Sequence, residues 1–499
     1  MPDHFQIQIV VMTDNSLAHS AFSSAVGIAR LPSCSYPSAD QKENAVSQAL
    51  GRLADGLGWS NGNGPFGRIV PHGARILIKP NLVLHQNDGP GGVDCLVTHA
   101  SVIRAATEAA LRTGAAEVLV GDAPIQGCDF DALVKTTGLD VWAREQMAQE
   151  PRFKGVRDFR RTTCVLVHGV RVAEENLQSE DRFTLFDLGR ESLLEPISNN
   201  ENRFRVAWYD HRLMAKTHHP GVHQYLVAKE VVEADVIINL PKLKTHKKAG
   251  VTCALKNLIG INGNKEYLPH HRLGGPRTGG DNYPDDGMVK RALEYVSDRQ
   301  NITTSYAGGM LWHLLFAVLV RMSRYRGDRV GMDGSWSGND TIWRTCLDLN
   351  RILLYGRSDG TMFEQMQRRV IHIADAVIAG QGNGPLAPDP LELGLMLGAN
   401  NAAAMDWVGA QLLAYDPEKI ALARHAFDQF RWPVTNFPTS SVQVIGDFGA
   451  GVPQAILGPL RRPVSHPVGW RAAGTDALSE QLGDRQGKVP ATSVEPQDA

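Results

Sequence analysis

Lys242, Lys244, His246 and Lys248 alternate through the stretch PKLKTHKK, directly after the apolar run VIINL. In an extended backbone, residues at a period of two project from one side. Ammonium groups and an imidazole in a row at a strand end suit a carboxylate or a phosphate. A solvated basic loop has the same composition, since charge runs are commonly exposed. Lys256 and Asn257 follow in a helix-like stretch, GVTCALKNLIG, in which Val251, Leu255, Leu258 and Ile259 share a face. If Gly250 opens that helix, the N–H groups of residues 250–253 extend the cationic row into an anion cradle. Gly260 then suits a left-handed position at the helix end.

Three other strand-like runs end in polar groups. RILIKPNLV carries Lys79 and Asn81, AEVLVGD ends in Asp122, and VIHIADAVIAG leads into QGNGP with Asn383. In open parallel sheets, ligands collect beyond the carboxyl ends of the strands. These groups therefore meet if their strands are neighbours. A lysine interrupting a buried strand end is costly unless it is paired or faces a cavity. For Lys79 an ion pair with Asp122 is one outlet. Asp122 could orient a lysine, ligate a metal, act as a base or cap a turn.

The catalytic candidates are Lys79, Asp122, His246 and Lys256. Lys79 or Lys256 would stabilise a developing charge, or transfer a proton once burial lowers its pKa; Asp122 or His246 would accept the proton. Asn81, Lys242, Lys244, Lys248, Asn257 and Asn383 are the candidates for substrate binding.

The remaining histidines are weaker candidates. His99 sits in a first helical turn. Pro220 and Gly221 between His218, His219 and His223 prevent a helical ligand pair, and His270 and His271 open a Gly-rich loop. No metal-ligand set is assigned. The six cysteines are scattered without CxxC spacing, so structural zinc and iron–sulfur motifs are missing; Cys253 reads as packing. Neither a Walker loop nor HExxH occurs, and the GxSxG and GxGxxG spacings within GWSNGNGPFG fall in a Gly/Asn-rich loop after a helix-like stretch, not at a strand-to-helix turn, so the common nucleotide-hydrolysing, dinucleotide-binding, serine-hydrolase and metalloprotease readings find no foothold.

A net charge of −2 and 7% aromatic residues give no reason to expect nucleic acid as a partner or an anionic membrane. The basic cluster is local, which fits a small anionic metabolite. The first residues lack the features of a signal peptide. The longest apolar run, residues 310–320, is too short to span a bilayer and reads as a buried or interface helix. The expectation is a soluble, cytoplasmic protein. A homo-oligomer stays open, because residues 301–355, with Trp312, Trp336 and Trp343, could form a dimer surface or a substrate cover.

The elements that must position these residues alternate. Strands are expected at 5–12, 75–83 and 116–122, and helices at 39–57 and from an N-cap at Thr98. Strands follow at 162–173 and 231–240, helices at 302–326 and 338–355, a strand at 370–380, two helices over 400–430, and a closing strand near 440–448. Strand–helix–strand units of short period build parallel sheets with crossover helices. The fold class is therefore α/β, a mainly parallel sheet flanked by helices. One domain is expected over 1–458, with insertions at about 145–230 and 262–355, the second opening on a long loop or lid. A flexible, disordered tail is expected over 459–499.

Four segments occur in a characteristic order: ILIKPNLV, VTHASVIRAATEAALRTGAAEVLVGDAP, NLPKLKTH with ALKNLIG, and IADAVIAGQGNGP, followed by an Ala-rich run ending in Asp406. The chain resembles the bacterial and archaeal family called domain of unknown function 362, over roughly residues 70–415. The resemblance implies the α/β fold and places all four strand-end groups inside its motifs, but names no reaction or cofactor. Some relatives carry a ferredoxin-like segment with closely spaced cysteines, which this chain lacks. That leaves two readings: an enzyme acting on a small carboxylate- or phosphate-bearing metabolite, or a non-catalytic redox- or metal-cluster-associated protein.

Overall fold

The inner strands of the central sheet are covered on both faces, so they read as apolar runs up to their polar ends. The computed structural model describes residues 22–37, 44–167, 170–199, 201, 203–328 and 330–470. The strand expected at 5–12 lies outside these residues. The central sheet contains β1 (Ala25–Arg30), β2 (Arg75–Pro80), β3 (Glu117–Asp122), β4 (Phe153–Asp158), β5 (Val236–Leu240), β6 (Lys242–His246), β7 (Gly250–Thr252), β8 (Arg369–Asn383), β9 (Ala387–Ala399) and β10 (Gln443–Gly446). Its order is β10-β1-β9-β8-β5-β2-β3-β4, with β6 and β7 extending from β8. Pairing is parallel from β8 through β5, β2 and β3 to β4, and between β1 and β10, but antiparallel for β9 against β8 and β1.

Alternate residues of each inner strand enter opposite cores. Ile76 and Ile78, Val118 and Val120, and Val236 and Ile238 pack with helices α1 (Ala45–Gly56) and α2 (Ala100–Arg112). Leu77, Leu119 and Ile237 point the other way, into the core that holds Leu349 and Ile352. This two-sided burial is why VIINL and RILI read as unbroken apolar runs. It also brings the ends of β5, β2 and β3 side by side, as the strand-end argument requires.

β5 and β6 are one line of chain broken at Pro241. β5 pairs with the first residues of β8, and after the proline β6 pairs with β8 farther on; the Asp375 amide donates to the Pro241 carbonyl at 2.8 Å. The register jumps between Lys242, opposite Asp375, and Lys244, opposite Gly380. The expected single row of side chains is therefore broken after Lys242.

Several local expectations are corrected. Gly250 opens no helix: at φ +80 it begins β7, the return strand of a hairpin with β6, and the helix α3 is only Ala254–Asn257. The proposed cradle of helix N–H groups does not form. α2 starts one residue later than expected, capped by His99, whose Nδ1 accepts from the Ser101 amide. The Thr98 hydroxyl instead donates to Leu240 O at 2.6 Å, tying α2 to β5.

The two insertions add elements that range from a hairpin to a buried helix. Strands Thr162–Val167 and Val170–Asn176 pair as a hairpin. Beyond the loop that begins at 262 come α4 (Met288–Ile302), α5 (Tyr306–Tyr325) and α6 (Ile342–Tyr355). Only 11% of the apolar window of α5 is buried, so the helix expected to be buried or at an interface stands exposed. Among the described residues it is the one helix long and apolar enough to cross a membrane. α7 (Ala402–Leu412) is buried along its whole length. Residues 459–470, expected in the flexible tail, pack on the body: Leu460, Val464 and Trp470 are buried, and Trp470 Nε1 donates to Lys247 O at 2.9 Å. Residues 471–499 lie outside the described residues.

Candidate functional site

A cavity of about 240 Å³ opens at the ends of β2, β3 and β6. Lys79, Lys244, Lys247, Lys248, Lys256 and Lys265 line it, against two carboxylates among the described residues, Asp122 and Asp333. His246, His270, Asn81, Asn257, Gln126, Thr252 and Tyr209 complete the polar wall, and Val83, Ile125, Ile259 and Leu386 supply apolar surface. Eight of the ten residues singled out in the sequence therefore meet here: Lys79, Asn81, Asp122, Lys244, His246, Lys248, Lys256 and Asn257.

Lys79 and Asp122 form an ion pair of 2.6 Å, with side chains 0% and 4% exposed. The other Asp122 oxygen accepts from the Leu82 amide at 2.7 Å. With both oxygens held, Asp122 orients Lys79 and is not poised as a base. A Cβ at Gly260 would lie 2.0 Å from Asp122 Oδ1 and 2.7 Å from Lys79 Nζ. Glycine is thus required by close approach to the pair, not by a left-handed helix end. Behind the pair runs an amide chain: Asn81 Nδ2 donates to Asn257 Oδ1, and Asn257 Nδ2 to Asn239 Oδ1, at 2.9 and 2.7 Å.

The other lysines are less neutralised. Lys244 Nζ donates to the carbonyls of Leu96 and Pro385, Lys265 to that of Ala123 and Lys248 to that of Asp333. Lys256, 8% exposed, has no hydrogen-bond or ion-pair partner among the described residues. Burial lowers these ammonium groups: Lys244, further disfavoured by Lys242, comes down to about 7, Lys265 to about 7 and Lys248 to about 8. Burial also lowers Lys256 and Lys79, with Asp122 pulling Lys79 the other way.

The two histidines are set in opposite tautomers. His246 Nδ1 accepts from the amides of Lys248 and Ala249 at 3.0 and 3.1 Å, so its proton belongs on Nε2 and the ring is a donor. The expected role of His246 as proton acceptor is corrected on this ground. His270 Nδ1 lies 2.7 Å from the Leu268 carbonyl, which can only accept; the proton sits on Nδ1 and leaves Nε2 as an acceptor. Burial and the neighbouring lysines push both rings well below 6.5.

Two sequence candidates fall elsewhere. Lys242 is fully buried on Asp375 Oδ2 (2.6 Å) and the Tyr36 hydroxyl (2.7 Å), where the register jump places it. Asn383 is exposed at the end of β8, opposite Ala387 in the β8–β9 hairpin. His99 stacks on Tyr36 at 3.7 Å, and His218 and His223 face one another across 3.3 Å, both away from the cavity. No group of three or more His, Cys, Asp or Glu among the described residues is arranged to hold a metal ion. The six cysteines are free, five of them buried.

Sequence reasoning missed Lys265, Gln126, Thr252 and Tyr209. Both polar atoms of the Gln126 side chain, the hydroxyls of Thr252 and Tyr209, and Asn81 Oδ1 are buried without a hydrogen-bond partner. Buried polar groups are nearly always satisfied by protein, ordered water or a bound group, and four side chains around this one cavity have no protein partner. Trp208 and Asp333, both at φ +66, also line it. Left-handed conformations at bulky non-glycine residues concentrate at functional sites. The faint signal was chemical: Gln126 follows the β3 strand end, and Lys265 is the lysine of a Gly/Asn-rich loop.

The family described as Domain of unknown function (DUF362) matches residues 76–180 and 168–411. The chain belongs to this family. These DUF362 segments contain β2, β3, the β5–β6 line, β8 and every lysine of the cavity. A thylakoid-associated protein of Synechocystis sp. is 22% identical over 360 residues, 72% of this chain and 68% of that protein. A crystal structure of a Thermotoga maritima protein aligns with 12% identity and a TM-score of 0.29, over 72% of this chain and 56% of that one. At that level the likeness does not bear on the fold.

Proposed function

We propose that this DUF362 protein is an enzyme acting on a small carboxylate- or phosphate-bearing metabolite bound in the lysine-lined cavity. One observation carries the reading: six lysines against two aspartates enclose a buried space into which unsatisfied polar groups also turn. Concentrating ammonium groups away from water is unfavourable, and an entering anion offsets that cost by pairing with them. Lys244, Lys256 and Lys265 would hold the anionic group, with His246 Nε2–H and the Gln126 amide as neutral donors.

Proton transfer is the chemistry this wall favours. His270 Nε2 is the base. Lys79, kept as an ammonium by Asp122, stabilises charge developing on the substrate. Lysines titrating near neutrality can return a proton in the same turnover. From the Synechocystis relative's description we carry over only that a membrane surface is a place where this chain could work.

The test is calorimetric titration with sulfate, phosphate and malonate. Wild type is expected to bind at least one of them saturably, and Lys256→Gln/Lys265→Gln to lose that binding while keeping its far-ultraviolet circular dichroism. A folded double variant that binds as well as wild type sinks the reading, and so does a wild type that binds none of the three.

A further inference from the structure

Helix α5 carries an apolar stripe left exposed among the described residues. Leu311, Leu314, Leu315, Val318, Met322 and Tyr325 are 41–95% exposed. At about 100° per residue they fall within a single sector roughly 100° wide. The opposite side is seated: a Cβ at Gly309 would meet Val170 of the hairpin at 2.5 Å, and Trp312 packs edge-on against Tyr295 of α4 at 6.3 Å. One side of this helix therefore belongs to the protein and the other faces outward.

On α5 and α4 the exposed charges have one sign. α5 contains no acidic residue, and Arg321, Arg324 and Arg326 are exposed at its C-terminal end. On α4, Arg291 and Arg299 are exposed next to Tyr295 and Met288. The two acids of α4 turn inward: Glu294 accepts from the Gly274 amide and Asn282, and Asp298 pairs with Arg205. A face of leucines, valine, methionine and tyrosines bordered by arginines, with the acids withdrawn, has the composition of a helix lying in a membrane interface. Arg321 and the one-sided stripe distinguish it from a single spanning helix, which meets lipid on every side.

We propose that α5, supported by α4, docks this protein on the surface of an anionic lipid bilayer. The helix lies in the headgroup region, the stripe reaches the acyl chains and the arginines meet lipid phosphates and carboxylates. The docking face is joined to the cavity by the loop after α5, whose Asp333 lines the cavity, and by Arg171, which donates to the carbonyl of Trp208 in the cavity wall.

The experiment is co-sedimentation of the full chain with vesicles of equimolar phosphatidylcholine and phosphatidylserine, and with phosphatidylcholine alone. Wild type is expected to pellet with the anionic vesicles and to be released by raised salt. Leu314→Glu/Val318→Glu, both at exposed positions, should lower partitioning at least tenfold. Each arginine removed in the series Arg321→Gln, Arg324→Gln and Arg326→Gln should lower it roughly five-fold on anionic vesicles. Absence of wild-type pelleting overturns the proposal, as does undiminished pelleting of the Leu314→Glu/Val318→Glu variant. A concentration-dependent dimer on size exclusion, dissolved by the same substitutions and without affinity for vesicles, also overturns it by showing that a second copy covers the stripe. Salt-dependent wild-type binding keeps the test decisive should the glutamate variant misfold.

Discussion

Lys79 Nζ and Asp122 Oδ1 stand 2.6 Å apart at the ends of adjacent parallel strands, both buried and both on the cavity wall. The pair keeps one lysine of the cluster paired with a fixed carboxylate, whereas Lys256 has none. That division separates a lysine whose charge is maintained by the protein from lysines whose charge depends on what enters.

Removing one partner of a buried pair leaves the other uncompensated, at about 3–5 kcal/mol. Lys79→Met should lose stability in that range in urea denaturation. Lys79→Met/Asp122→Leu should regain at least about 1 kcal/mol of it, because no buried carboxylate is then stranded. The Leu82 amide loses its acceptor in the double variant, so full recovery is not expected. A double variant no more stable than the single one would refute the coupling.

Gly260→Ala places a methyl group against this pair. The backbone is not in the left-handed region, so any loss comes from crowding Asp122 Oδ1 at 2.0 Å. Overpacking of this kind costs about 1–3 kcal/mol. A substitution within about 0.5 kcal/mol of wild type by urea midpoint would show that the pair has room to move.

Anion binding and stability should respond oppositely to pH. Lys244 and Lys265 titrate at about 7 and Lys248 at about 8 in the folded chain, against 10.5 ordinarily. Between those values the unfolded chain holds protons the native state has released. Native stability from these groups therefore rises as pH increases from about 7 toward 10.5. A bound anion favours the ammonium forms, so binding takes up protons and weakens as pH rises through 7 to 8. Calorimetry with sulfate at pH 8, in buffers of different ionisation heat, should show net proton uptake. Release, or no exchange, counts against the lysines as its ligands.

The sequence made the strand ends legible, because buried parallel strands announce themselves as apolar runs and their terminal polar residues stand out. Lys79, Asp122, Lys244 and Lys256 were found that way. Lys242 was misplaced because period-two reasoning assumes an unbroken ladder, and the register jump at β8 depends on long-range pairing. Gly250 was misread because a hairpin return and a helix start share the same glycine signal. Lys265 and Tyr209 come from insertions that only folding brings to the cavity, and Gln126 from the loop just past the β3 strand end. The exposure of α5 was equally hidden, since an apolar helical stripe has the same pattern whether it faces a core or a bilayer.

His246 and His270 offer the most direct check of the site's chemistry. The turn amides of Lys248 and Ala249 fix His246 as the Nε2–H form, and the Leu268 carbonyl fixes His270 as the Nδ1–H form. Nitrogen-15 chemical shifts of the ring atoms distinguish the two tautomers in selectively labelled protein. Both rings are held well below 6.5 by burial and nearby lysines, so both should remain neutral at pH 6. The unfolded chain protonates first as pH falls through 6.5, so these residues lower native stability on acidification. His246→Ala strands two turn amides and should cost about 1–3 kcal/mol for each left unsatisfied. His246→Asn, whose carbonyl can accept from them, should recover most of that loss. A doubly protonated His246 at pH 6, or one carrying its proton on Nδ1, would remove it as the cavity's neutral donor and reopen the assignment of the base.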